Sequence, residues 1–211
     1  MFIPLVDILR CVNAHDETWL VASIERADDR YIVEGTLGCP TCLAEYPIRE
    51  GVVYFTEVPV QTPSAIPDEP EAMRLAAALG LTEARMTAVL VGTWGAHAQL
   101  VRGVSPAQLI LLNAPEGTTS GDGISVIASE TIPLAQQSID AIAVDESFAL
   151  EESGAATLPA LKRGGRLLAP VSVQIPRGFT ELARDDEVWV ARVDDREIVS
   201  APILPTRRSR A

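Results

Sequence analysis

Four side chains that bind metal ions stand in two short groups near the start of the chain. Cys39-Pro40-Thr41-Cys42 is a compact C-x2-C knuckle, and Cys11 with His15 forms a C-x3-H pair upstream of it. A tight turn between paired ligands points both donor atoms inward, so two such turns can close a tetrahedral Zn²⁺ site. Three thiolates and one imidazole are an accepted structural zinc set, and zinc is the cofactor this pattern implies. The alternative is a decayed site, with His15 at the surface and the cysteines serving as small core residues. A redox role fits less well, because a strand followed by C-x2-C and a long helix is absent.

A second stretch with chemical potential is AVLVGTWGAHAQLV, residues 88–101. Ala88 to Val91 reads as a buried strand, Gly92 to Gly95 as a tight turn, and Ala96 to Val101 as the start of a helix. In doubly wound α/β folds this corner lets a nucleotide approach bare backbone at a helix N-terminus. Here Trp94 stands between Gly92 and Gly95. His97 follows, either facing a phosphate or substrate or packing as an ordinary helix histidine. Asp145 and Glu146 end a later strand, either as general bases or as caps. Ser138 and Ser147 have no His and Asp at the spacing of a hydrolase triad. Trp19, Trp94 and Trp189 read as core or interface anchors.

The elements that must position these residues fall into two parts. Residues 1–58 form a small β-rich unit: a turn or short helix at 5–9, strands at 18–24 and 31–37, a turn at 27–30, and a hairpin over 45–55. Such a unit has little room for a core and usually needs a staple such as a metal. Residues 59–70 carry Pro59, Pro63, Pro67 and Pro70 and read as a linker. Residues 71–196 open with a helix over 71–81, capped by Asp68 or Glu69 with Pro70 in its first turn, and with Met73, Ala76, Ala77, Leu79 and Gly80 as its apolar repeat. Strands follow at 88–91, 108–113, 124–128, 139–145 and 166–171. A helix over 153–162 should stop at Gly164-Gly165, and a hairpin at 179–193 closes the domain. Strands interleaved with helices imply a mostly parallel sheet. The polar loop 114–123 is too hydrophilic for a packed crossover helix, so the architecture is trimmed. The segment 197–211 is a tail, with Arg207, Arg208 and Arg210 as the basic cluster.

The chain of 211 residues has seventeen basic and twenty-nine acidic side chains, a formal charge of -12. That argues against a general nucleic-acid binder, whose affinity comes from Lys and Arg. No apolar run is long enough to span a bilayer, and the N-terminus lacks the pattern of a signal peptide. Three cysteines are too few and too oddly numbered for a disulfide framework, so a reducing cytoplasm is the expected compartment.

The first unit resembles the small zinc-ribbon activator subunits of methyltransferases, including their short bacterial relatives. LVDILRC at 5–11, IVEGTLGC at 32–39 and CLAEYPIREGVVYF at 42–55 carry the resemblance. The first knuckle departs from it, since the family commonly has Cys-Pro-x-Cys where this chain has Cys11-Val12-Asn13-Ala14-His15. The resemblance implies a module that packs against and stabilises a methyltransferase and performs no chemistry itself.

The second part resembles class I S-adenosylmethionine-dependent methyltransferases. The matching phrases, in order, are Val89–Gly95, Thr131–Ile142, Leu161–Leu168 and Gly178-Phe179-Thr180. The whole chain is therefore expected to be an α/β protein: a zinc-ribbon-like module followed by a trimmed Rossmann-like sheet with a C-terminal hairpin. The resemblance implies an acid at the end of the first strand for the methionine end of the cofactor, where this chain has Val91. It implies an acid at the end of the second strand for the ribose, where Asn113 stands. It implies an acid after the third strand for the adenine amine, where Ala128 or Ser129 stands with Glu130 close by. The degenerate cofactor set is thus Gly92, Trp94, Gly95, Asn113 and Glu130, and the cofactor itself is not expected to bind. The expected function is a non-catalytic interaction protein that binds a methyltransferase or a second copy of itself. The alternatives are an active methyltransferase stimulated in cis by its own ribbon, and a pocket turned to another nucleotide.

Overall fold

The computed structural model describes residues 1–57, 62–146, 148 and 158–194. Ser147, Pro59, residues 153–157 of the expected helix, and the tail from 197 onward lie outside the described residues.

Alternating or continuous apolar runs dictate eleven strands, which join in a single sheet: β1 (Val21–Asp28), β2 (Tyr31–Gly38), β3 (Glu45–Arg49), β4 (Val52–Tyr54), β5 (Thr87–Val91), β6 (Gln108–Leu112), β7 (Ile124–Ala128), β8 (Ile139–Ala143), β9 (Leu161–Pro170), β10 (Phe179–Arg184) and β11 (Val188–Val193). The spatial order is β1-β2-β3-β4-β7-β6-β5-β8-β9-β11-β10. The strands from β5 to β9 pair in parallel in the doubly wound order, with the reversal between β5 and β8. The terminal hairpin adds β11 antiparallel to β9, with β10 outside it. On the other side, β1 to β4 form an antiparallel meander. Its last strand lies parallel to β7, with Val53 opposite Ile127. The first unit is thereby part of the same sheet as the second.

Side chains of the parallel strands alternate between two buried layers, as a sheet covered on both faces requires. Ala88, Leu90, Leu109, Leu111, Ala141 and Ala143 pack beneath helices α1 (Glu69–Leu79) and α2 (Ala98–Val104). Val89, Val91, Ile110, Leu112, Ile142 and Val144 face the opposite layer. No long helix among the described residues covers that side. Its cover includes Leu5 and Leu9, around a 3-10 turn at Ile3–Ile8, together with Ile132 and Leu134. The two segments are laced: Arg10 N–H donates to Pro133 O at 2.9 Å, and Ala135 N–H to Ile8 O at 2.8 Å.

Helix α1 has the expected cap, since the Asp68 carboxylate accepts from Glu71 N–H at 3.0 Å and Gly80 ends the helix at a φ of 69°. Its buried stripe is Ala72, Leu75 and Leu79, whereas Met73 is exposed, so the apolar repeat read from sequence was displaced around the helix. After β5, a 3-10 turn occupies Gly92–His97, and α2 begins only at Ala98. The expected first strand at 18–24 begins at Val21 and continues through Ala27-Asp28, which had read as a turn.

The largest departure lies at 158–165. Leu158–Ala160 is a 3-10 turn, and Leu161 already begins β9, so Gly164-Gly165 lies within a strand instead of ending a helix. A side chain at Gly165 would meet Lys162 O at 2.8 Å and Asp140 O at 3.0 Å. The bulge of β9, which turns Lys162 O toward this position beside β8, is what demands glycine there.

Because one core layer runs from Ile32 and Val53 through Ile127 to Ala169, denaturant unfolding should show one cooperative transition. Val53→Ala at the fully buried seam should lower its free energy by roughly 1–3 kcal/mol. Two resolved transitions, with only one moved by the substitution, would contradict this.

Candidate functional site

The Cys/His groups converge. The loop from Cys11 to His15 is closed by Cys11 N–H donating to Thr18 O, and the second knuckle by Leu43 N–H donating to Cys39 O. The sulfurs of Cys11 and Cys42 lie 3.6 Å apart, and Cys39 Sγ is 3.5 Å from His15 Nε2. All four donor atoms lie within 4.8 Å of one another. A tetrahedral zinc with Zn–S of about 2.3 Å and Zn–N of about 2.0–2.1 Å places sulfurs about 3.8 Å apart and sulfur about 3.6 Å from nitrogen. The Cys11–Cys42 and Cys39–His15 separations match that geometry, and the remaining ones stay within 4.8 Å.

The surroundings prepare the ligands. His15 Nδ1 lies 2.7 Å from Asp16 O; a carbonyl only accepts, so Nδ1 carries the proton and Nε2 presents its lone pair to the cluster. The Cys42 thiol is pulled down to about 6, first by the Ala44 amide and then by the Asn13 side chain. Burial pushes Cys39 up, but the Cys42 and Thr41 amides outweigh it and the thiol is lowered. Burial raises Cys11, with Tyr46 opposing. Cys39 is buried, Cys11 and His15 are half-buried, and Cys42 is exposed.

At the strand reversal between β5 and β8, the side chains reach across the crevice. Gly92 has a φ of 62°, and a Cβ there would lie 2.0 Å from Asp145 Oδ2. That oxygen accepts from Thr93 N–H at 2.7 Å and from Thr93 Oγ1 at 2.9 Å. Trp94 Nε1 donates to Val144 O at 3.1 Å. On the other side, a Cβ on Gly95 would meet the Ala114 Cβ at 2.9 Å and Pro115 Cδ at 3.4 Å. Val91 is buried.

Asn113 adopts φ 52° at the end of β6. Its Nδ2 donates to Ser129 O at 2.7 Å, and its Oδ1 accepts from Ser129 N–H at 3.0 Å, so both amide atoms are engaged by the backbone of one residue. Glu130 is exposed, as is Glu146. A cleft of about 400 Å³ opens beside Asn113 and is walled by Tyr54, Pro115, Thr118 and Val126; Gly92, Trp94 and Asp145 do not line it.

Strand order, the reversal, the glycine turn on it and the closing hairpin carry the fold assignment. The second part is methyltransferase-like in fold. Solved structures with a similar arrangement include a Corynebacterium glutamicum protein (15% identical, TM-score 0.45, 64% of this chain and 85% of that one). They also include MycE methyltransferase of the mycinamycin pathway (14%, TM-score 0.43, 62% and 49%) and the Escherichia coli putative methyltransferase yhhF (13%, TM-score 0.42, 64% and 92%). No sequence-family profile matches the chain, and no curated protein does.

Two residues have roles that sequence spacing does not disclose. His97 is buried, and its Nδ1 accepts from Asp68 N–H at 3.3 Å, tying the glycine turn to the cap of α1. Asp145 belongs to the turn after β5 as much as to its own strand. Trp189 is fully buried and donates to Val173 O at 2.7 Å. Trp19, expected as a core or interface anchor, is 56% exposed and so no core residue, with the Arg10 guanidinium 3.8 Å from its ring centre. No helix is long and apolar enough to cross a membrane among the described residues.

Asn113→Asp tests the amide pairing. A carboxylate cannot donate to Ser129 O and would repel it, so stability should fall by roughly 1–3 kcal/mol in urea unfolding; an unchanged or raised midpoint would contradict the assignment.

Proposed function

We propose that this chain is a methyltransferase-like scaffold that does not transfer methyl groups and that acts by binding another protein. The observation that carries this reading is the double tie across the strand reversal, Trp94 to Val144 and Asp145 to Thr93. S-adenosylmethionine would need open space at the glycine turn and free acceptors for its amino acid and ribose. Val91 offers no acceptor, and the Asn113 amide is already engaged by Ser129. Ser129 is buried and Ala128 carries no charge for the adenine amine. Three lost charge-assisted hydrogen bonds at roughly 1.5–3 kcal/mol each would weaken binding by about three to six orders of magnitude.

The N-terminal unit supports the same reading. It is read here as a zinc knuckle whose four protein ligands leave no open coordination position, which is the structural and not the catalytic form. Through Cys11 and Thr18 the metal would fix the loop beside the laced segment at 133–135, and so hold the cover of the sheet. The partner is taken to be a methyltransferase or a second copy of this chain, as the activator resemblance implies.

Two measurements test these readings separately. Calorimetric titration with S-adenosylmethionine should give no binding isotherm at tens of micromolar protein, and a micromolar Kd would end the non-catalytic reading. Protein purified from cells should carry one equivalent of zinc by elemental analysis, and a strong chelator should lower the melting temperature; metal-free protein with an unchanged melt would end the zinc reading.

A further inference from the structure

We infer that Tyr46 and Asn13 are positioning residues of the metal cluster, each donating a hydrogen bond to a ligand sulfur that the site needs to carry three thiolates. This rests on the zinc reading above. Three thiolates, a neutral imidazole and Zn²⁺ sum to one excess negative charge, in a module that is itself acidic. Donors aimed at sulfur spread that charge, and partners of this kind commonly set metal affinity by 10–100-fold.

Backbone amides face the sulfurs of both knuckles: those of Thr41 and Cys42 face Cys39, that of Ala44 faces Cys42, and that of Asn13 faces Cys11. Two side chains add to them. Tyr46 Oη lies 3.1 Å from Cys11 Sγ, and a metal-bound thiolate has no proton, so the phenol is the donor. Asn13 Nδ2 donates to Cys42 Sγ at 3.3 Å, linking one knuckle to the other.

Tyr46 is placed for this by its surroundings. It is 6% exposed on β3, with its ring centre 4.5 Å from that of Phe55. A buried phenol needs partners for its oxygen. The partner within reach of that oxygen is Cys11 Sγ.

The test compares the full-length wild type with Tyr46→Phe and Asn13→Ala, using Tyr54→Phe as a control that loses a hydroxyl away from the cluster. Zinc affinity is read by competition with a chromogenic chelator, and the thiolate-to-metal absorption band is read with cobalt. Tyr46→Phe and Asn13→Ala should each weaken zinc about tenfold or more and move the cobalt band to lower energy, and Tyr54→Phe should do neither. Wild-type zinc binding with both variants within twofold and bands unmoved overturns this inference and leaves the zinc reading standing. A wild type that binds no zinc overturns both. Should Tyr46→Phe fail to fold, Asn13→Ala, on the exposed side of the loop, carries the test alone.

Discussion

A parallel strand at the edge of a sheet presents unpaired peptide groups along one side. β7 would be such an edge, and β4 closes it over Val52–Tyr54. Much else follows from those three residues. They bring the antiparallel meander into register with the parallel strands, so one core layer serves both parts. The N-terminal 3-10 turn can then lie along the face that helices would otherwise cover, laced to 133–135. The module is thus a structural member of the larger sheet, and its Cys/His loops lie beside that cover.

At the crevice of the strand reversal, side chains of the turn after β5 and of the segment after β8 are tied to one another. Glycine at 92 still has positive φ, and the turn still has amide donors. The Asp145 carboxylate now takes the Thr93 donors, while the Trp94 indole spans to the next strand's carbonyl. The Thr93 amide and hydroxyl, the Asp145 carboxylate and the Trp94 indole thus have partners within the chain. Such closure makes the corner a stable part of the core, because buried polar groups that were left open would each cost free energy.

Much of this was legible in the sequence where the signal was local. Asp68, Pro70 and Gly80 bracket α1 because caps are short-range chemistry. The four metal donors were legible because two tight turns carry them. What escaped depended on distant neighbours. Gly164-Gly165 reads as a helix stop, but the Lys162 carbonyl within the bulge of β9, together with the Asp140 carbonyl of β8, is what excludes a side chain at Gly165. Met73 sits among apolar neighbours in sequence, yet the direction of the sheet beneath α1 selects Ala72, Leu75 and Leu79. The partners of His97 and Asn113 lie 29 and 16 residues away, beyond any periodicity.

The pairing of β4 with β7 also sets an order of events as the chain emerges from the ribosome. All four metal donors and Tyr46 have been synthesised before β4 is, yet β7 begins only at Ile124. For some seventy residues of synthesis β4 has no partner on its far side, a period when an unpaired strand is open to wrong pairing. A Cys/His cluster that took up a metal ion in that interval would hold the meander folded while it waits, so that the nascent parallel sheet is completed against a finished template.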